Sequence, residues 1–330
     1  MSRPFKAMGG ARHALRPAYL ALLCLILLIG ESTISAAGAG NTGSWAVDRP
    51  PSARASGMGG AFVGLADDGF AGWWNPAGLV HLRQTELCSM YEMMTLDRKS
   101  SFISGAYPFL DGVSSLGFSW YRQGVESIPV TELDPSSVIS VDAIGNPVYG
   151  IRNLGYIEDI SNLFTLSVAR SLNDYLSAGM NFKYLGQRIG ETRGYALGMD
   201  FSFLMRGPEG ISLGGAVRNI AQTMHWNSDT QRDDNMPLSL VMGVDVNFKD
   251  AMHLLFDIEK TENCDLEYHI GAEATIMEVF SLRLGMNDGR VTGGTSVRFN
   301  SWRFDYSYID DVLGINHRLS SSFRFNAAGN

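Results

Sequence analysis

From about residue 85 to residue 325, apolar side chains recur at every second position, with small or polar residues between them. In 195–203 the apolar set is Tyr195, Leu197, Met199, Phe201 and Phe203. In 238–248 it is Leu238, Leu240, Met242, Val244, Val246 and Phe248, and in 302–308 it is Trp302, Phe304, Tyr306 and Tyr308. Successive strand residues point to opposite faces, so each segment predicts a strand with one apolar and one polar or small face. Fourteen segments carry the pattern: 85–93, 100–109, 114–123, 161–170, 175–187, 193–205, 211–219, 237–249, 251–259, 264–276, 279–286, 291–299, 302–309 and 317–325. Many are longer than the five or six residues usual in soluble domains, a length suited to a tilted bilayer crossing.

The connections alternate as well. "LDGV", "SLND", "RGPEG", "KD", "ME" and "NS" are short, whereas 124–160, 187–194, 221–236 and 310–316 are longer surface loops. An even strand number with short turns at one end and long loops at the other predicts a closed barrel. Closure leaves no unpaired edge in lipid, where an unsatisfied backbone group costs several kcal/mol. The expected fold is therefore all-β: a 14-stranded antiparallel transmembrane β-barrel over 85–325. A secreted β-sandwich would also alternate, but it explains neither the strand length nor the aromatics gathered on one face.

Ahead of the barrel, Arg3, Lys6, Arg12 and Arg16 precede the apolar run "AYLALLCLILLIG" and then small residues. That order predicts a signal peptide over 1–39, export through the Sec pathway and a bacterial outer-membrane location. Cys24 lies inside the apolar run, preceded by Leu23, which does not fit lipoprotein processing. Past the leader no apolar run approaches eighteen residues, so helical spans are excluded. The chain carries 34 acidic against 26 basic residues, with no basic stripe, which points away from nucleic acid. Cys88 and Cys264 form neither a disulfide framework nor a zinc spacing and read as unpaired buried thiols.

Residues 40–84 hold "GMGGAFVGLADDGFAGWWNPAGL" (57–79). The glycine spacing does not match a dinucleotide loop and no βαβ pattern surrounds it, so no cofactor is expected. Asp67 and Asp68 alone make an incomplete calcium cage, and no metal is expected. Packing explains more. Gly57, Gly59, Gly60, Ala61 and Gly64 permit close backbone approach. Asp68 stands near the start of a short helix, Asn75-Pro76 suits entry to a new turn, and Phe62, Trp73 and Trp74 can bury in a barrel mouth.

These residues carry a resemblance. "SARASGMGGAFVGLADDGFAGWWNPAGL" resembles the N-terminal signature of FadL-like outer-membrane barrels, in particular the PorV/PorQ subfamily, with Gly57, Gly59, Gly60, Phe62, Asp67, Asp68, Trp74, Asn75, Pro76, Ala77 and Gly78 in order. "LGINHRLSSSFRF" resembles the closing strand of that subfamily. The resemblance covers the two ends of the mature chain and implies a fourteen-stranded barrel with this segment as a hatch inside the lumen. The final strand ends in Phe323 and Phe325, similar to the signal read by the barrel assembly machinery, although the tail "NAAGN" (326–330) follows it.

On the lumen-facing parity stand Asp200, Asp245, Asp257, Glu259, Glu267, Glu273, Arg283, Arg303, Asp305, Arg318 and Arg324. The expectation is that Asp245, Asp257, Glu273, Arg283, Arg303, Arg318 and Arg324 hold the hatch by ion pairs and hydrogen bonds. His253 and His269 are isolated, no nucleophile is marked, and Asp257 with Glu259 is only a strand-face spacing, so no catalytic residue is assigned. Beyond outer-membrane lipid, the PorV/PorQ resemblance implies secretion-system proteins as partners and a non-catalytic role in type IX-like protein secretion or surface translocation; the chain's length favours this. The alternative is a FadL-type channel for a hydrophobic ligand. Residues 124–160, with Ile128, Val130, Val138, Ile139, Val141, Ile144 and Val148, would serve either as a lid or as a partner surface.

Overall fold

A computed structural model describes residues 50–109, 112–227, 233–249, 251–311 and 313–325. The expected leader and the tail 326–330 fall outside them. Fifteen strands follow a helical N-terminal segment: β1 (Glu86–Met93), β2 (Arg98–Pro108), β3 (Ser114–Val141), β4 (Pro147–Ser171), β5 (Leu176–Ile189), β6 (Thr192–Arg206), β7 (Ile211–Trp226) and the three-residue β8 (Asp233–Asn235). The chain continues with β9 (Ser239–Phe248), β10 (Met252–Thr261), β11 (Leu266–Ile276), β12 (Phe280–Asn287), β13 (Arg290–Phe299), β14 (Trp302–Asp311) and β15 (Gly314–Arg324). All pairings are antiparallel. β1 pairs with β15 (Leu87 opposite Phe323), β6 with β7 and β7 with β9, so fourteen strands close a ring and β8 merely caps the end of β7.

The period-two pattern is the physical reason for the ring. In β1 burial strictly alternates, with Glu86, Cys88, Met90 and Glu92 inside and Leu87, Tyr91 and Met93 exposed outside. The same parity leaves Phe118, Leu166, Phe182, Phe201, Leu240, Phe256, Leu284 and Phe304 on the outer surface. A belt of this kind suits hydrocarbon rather than water. Short connections join strands at one end; at Met277 and Glu278 both φ values are positive (54° and 58°), as a two-residue type I′ hairpin requires.

Two expected loops are largely strand. Residues 124–160 form no lid: β3 and β4 continue past their neighbours as a two-stranded hairpin, interrupted by bulges and closed by a turn in which Asp142 accepts from the backbone N–H of Ile144 and Asn146. Val138, Ile139, Val141, Ile144 and Val148 are exposed on it. Strict one-face alternation fails here because a ribbon standing clear of the barrel has no single buried face. Likewise β7 extends to Trp226, inside the expected loop 221–236. Neither Cys88 nor Cys264 enters a disulfide; Cys88 is buried as expected, whereas Cys264 is only half-buried because it lies in the turn between β10 and β11.

Inside the barrel, 50–82 forms a helix (Ala53–Gly57), one further turn (Ala71–Trp74) and a 3-10 helix (Pro76–His81). Ser52 caps the first by accepting from Ala55 N–H, and Asn75 caps the third by accepting from Ala77 N–H.

Candidate functional site

Buried backbone between and at the ends of these short helices needs partners, and wall side chains supply them. Asp257 accepts from the N–H groups of Phe62 and Val63, both at 2.8 Å. Thr292 accepts from Gly59 N–H at 2.9 Å, Asn181 donates to Gly72 C=O at 2.9 Å, Ser177 to Ala77 C=O at 2.9 Å and Arg218 to Trp74 C=O at 2.9 Å. Within the hatch, Asn75 donates to Val63 C=O and across to Phe203 C=O, both at 2.9 Å, and Trp74 donates to Pro51 C=O at 2.9 Å. Pro76 and Ala77 open the 3-10 helix directly after Asn75.

The glycines are contact points between backbones. Gly57 lies against Gly294, and a Cβ on Gly285 would stand 2.2 Å from Gly59 N. Gly59 itself has φ +70°, and any side chain there would meet Met286 C=O. Gly60 sits beside His269 and Trp74, and Gly78 packs on Ala66. The wall therefore offers lumen-facing glycines, among them Gly214, Gly243, Gly271, Gly285 and Gly294, where hatch backbone comes closest to it.

Most of the expected charges converge. Arg54 donates to Glu273 at 2.6 and 2.9 Å and pairs with Asp67 and Asp68. Burial would push the Arg54 pKa down; Asp67, Glu273 and Asp68 instead hold it well above its ordinary value. Arg283 bonds Glu273 at 2.5 Å and Asp305 at 3.1 Å, while Arg303 joins Asp305 (3.1 Å) to Asp68 (2.7 Å). Asp68 also accepts from Phe70 N–H at 3.0 Å. Arg318 links Glu92 (2.8 Å) to Ser56 and Pro50 C=O. With guanidinium groups on both carboxylates, Asp67 and Asp68 are ion-pair partners, not a cation cage. Three expected members stand apart from this network: Asp257 holds the hatch backbone at Phe62 and Val63, Asp245 pairs with His253 at 2.9 Å, and Arg324 lies half-exposed at the short-turn end, 3.6 Å from Glu86. There Phe323 meets Trp302 at a tilt, 4.8 Å between ring centroids, and Phe325 edge-on at 4.9 Å.

The other side of the lumen carries an apolar patch next to one buried ion pair, Lys183 with Asp200 at 2.7 Å. Tyr121, Leu163, Leu185, Ala196 and Met224, on β3 to β7, face inward and form one cluster with Phe62, Phe70, Trp74 and Phe102. Trp73 meets Tyr121 edge-on at 5.3 Å between centroids. Strict alternation hides these residues, because it assigns the inward face to polar groups. The available signal is doubling of apolar neighbours: Trp120-Tyr121, Leu163-Phe164 and Tyr184-Leu185 place one residue in lipid and the next in the lumen. Within the patch, both polar atoms of Gln123 and of Gln222 are buried without a hydrogen-bond partner. Trp226 packs on the same cluster and also lines a cleft of about 860 Å³ at the long-hairpin end, with Phe164, Tyr184, Tyr195, Ile160 and Arg122. Nearby, the β6–β7 ladder shifts register on either side of Met199, and Asn219 and Ala221 take positive φ (61° and 52°).

No family model and no curated protein matches the sequence. The fold matches solved outer barrels at low identity. The CymD monoaromatic hydrocarbon channel aligns with a TM-score of 0.61 at 12% identity, covering 83% of this chain and 97% of that one. The Ralstonia pickettii toluene transporter TbuX aligns at 0.58 and 13%, covering 82% and 97%, and a Pseudomonas aeruginosa FadL homologue at 0.54 and 11%, covering 82% and 98%. The chain thus has the fold of the FadL-type hydrocarbon channels.

Proposed function

We propose that this protein is a non-catalytic, FadL-type channel of the bacterial outer membrane that moves a small hydrophobic molecule. One observation carries the reading: Trp226 packs on the buried apolar patch of Tyr121, Leu163, Leu185 and Met224 and also lines the outer cleft, where the aromatic rings of Phe164, Tyr184 and Tyr195 stand among Arg122, Arg188 and Arg193. The cleft volume lies in the range of small-molecule sites. The apolar solute lands in the cleft, displaces Trp226, and moves along the patch, where the unpartnered amides of Gln123 and Gln222 receive any polar group it carries. The irregular β6–β7 seam supplies a sideways exit into lipid, since pairing is already interrupted there. Two of the similar structures, a monoaromatic hydrocarbon channel and a toluene transporter, support this substrate class.

The test is entry of a naphthalene-class fluorophore into liposomes carrying the purified barrel. Faster entry than into protein-free liposomes is expected, and Leu185→Arg is expected to abolish the gain while the barrel stays folded by heat-modifiable gel mobility. Equal entry with and without the barrel overturns the proposal.

A second reading, a PorV/PorQ-type component of protein secretion, draws on the hatch signature and on one further observation, the exposed β3–β4 hairpin. Export of a reporter substrate that fails in a deletion strain, with solute entry unchanged, would favour it.

A further inference from the structure

The partner of β3 on its outer side, β2, stops at Arg98 opposite Val125, and the partner of β4, β5, stops at Ile189 opposite Asp159. Beyond those pairs the two strands stand alone for sixteen residues of β3, on the order of 50 Å at about 3.3 Å per residue. An isolated two-stranded ribbon is marginally stable in water. This one also exposes apolar side chains: Ile151 is 71% exposed, Tyr156 67% and Leu133 66%, with Leu154 and Ile157 beside them. Exposed apolar surface on that scale marks an interaction site. Both edges of the ribbon lack a neighbour among the described residues.

The two edges are not equivalent. Pro129 and Pro135 interrupt β3 and remove backbone donors, a familiar block to strand addition. On β4 the one proline is Pro147, at the start, so most of Tyr149–Glu158 keeps its donors and acceptors; Gly155 N–H donates to the Asn153 side chain at a bulge, and Glu158 C=O accepts from Gly190 N–H. Charge narrows the occupant. Glu126 pairs with Arg122, Glu158 with Arg188 and Glu132 with Arg152, which leaves Asp134 and Asp142 as unneutralised acids toward the tip. Asp142 is held below its ordinary pKa by the backbone N–H and side-chain amide of Asn146, so it is anionic at neutral pH. An anionic lipid surface is therefore a poor match. A second copy fits no better: barrels in one membrane are related by rotation about its normal, so paired β4 edges would run parallel, Arg152 beside Arg152 and Glu158 beside Glu158.

We infer that the outer edge of β4, Tyr149–Glu158, is a docking site for an extended segment of a partner protein that carries alternating basic and apolar residues. The segment adds a third strand to the ribbon, its backbone pairing with β4 and its apolar side chains covering Ile151 and Tyr156, which the bulge at Leu154 brings to one face. This goes beyond the solute path and is separable from it, because Leu185→Arg leaves the ribbon intact.

Hydrogen–deuterium exchange on the detergent-purified barrel tests it, with a ten-residue alternating Lys-Val peptide as probe and an alternating Glu-Val peptide as control. Expected is exchange slowed about tenfold at Tyr149–Glu158, with 128–137 unchanged, and the effect lost in the paired substitution Ile151→Lys and Tyr156→Lys. Because those positions are solvent-exposed, heat-modifiable mobility confirms that the variant barrel remains folded. No slowing with the Lys-Val peptide, equal slowing with the Glu-Val peptide, protection of the β3 edge instead, or concentration-dependent protection without peptide would each overturn it, the last in favour of a second copy.

Discussion

At the level of single residues, the hatch is held by fit as much as by charge. Gly285 faces Gly59 so closely that a Cβ has no room, whereas a Cβ on Gly293, one strand over and on the opposite parity, would make ordinary contacts at 3.7 Å. Gly285→Val is therefore expected to cost about 1–3 kcal/mol and lower the unfolding temperature in detergent, while Gly293→Ala changes it by no more than about 0.5 kcal/mol. Equal effects would mean that hatch and wall are not in contact at this point. The hatch glycines were legible as close-approach residues in sequence. Their complements on β7, β9, β11, β12 and β13 were not, because a glycine on a strand's inward parity looks the same whether it faces water or another backbone. Arg54 was missed for a similar reason: the three carboxylates it contacts lie 13, 14 and 219 positions away.

Among the elements, the strands of the barrel wall follow from periodicity, and their short turns follow from the residues that favour positive φ. The β3–β4 hairpin is the exception. It pairs through bulges and carries apolar residues on both faces, so a rule built on one buried face reads it as a loop. Its ladder adds nothing to the ring, which is complete at the Val125 and Asp159 pairs. Replacing 128–157 with a short Asn-Gly turn is accordingly expected to leave a folded barrel, with unchanged heat-modifiable mobility and a thermal midpoint within a few degrees of the intact protein. Failure to fold would assign the hairpin a role in assembling the wall.

For the whole molecule, the decisive feature is that the lumen has two sides. β11 to β15 and the hatch exchange buried ion pairs, whereas β3 to β7 present an apolar patch. Breaking buried pairs one-sidedly is costly, so the charged side anchors the hatch. Deleting 50–82 should open the lumen to water. The expected outcome in a planar bilayer is a large ionic conductance that the intact protein lacks. Identical conductance would mean that the hatch does not fill the pore.

Alternation along one chain is a local property, so the strands, their direction and the outward apolar belt could all be read without coordinates. The small-residue hatch could be read too, because its composition departs so sharply from the strands around it. Which inward side chains meet the hatch, which carboxylate neutralises which arginine, and that Tyr121, Leu163, Leu185 and Met224 converge from four strands depend on closing the ring. Closure brings together residues more than two hundred positions apart, as at Arg54 and Glu273, and no periodicity within a segment encodes that meeting.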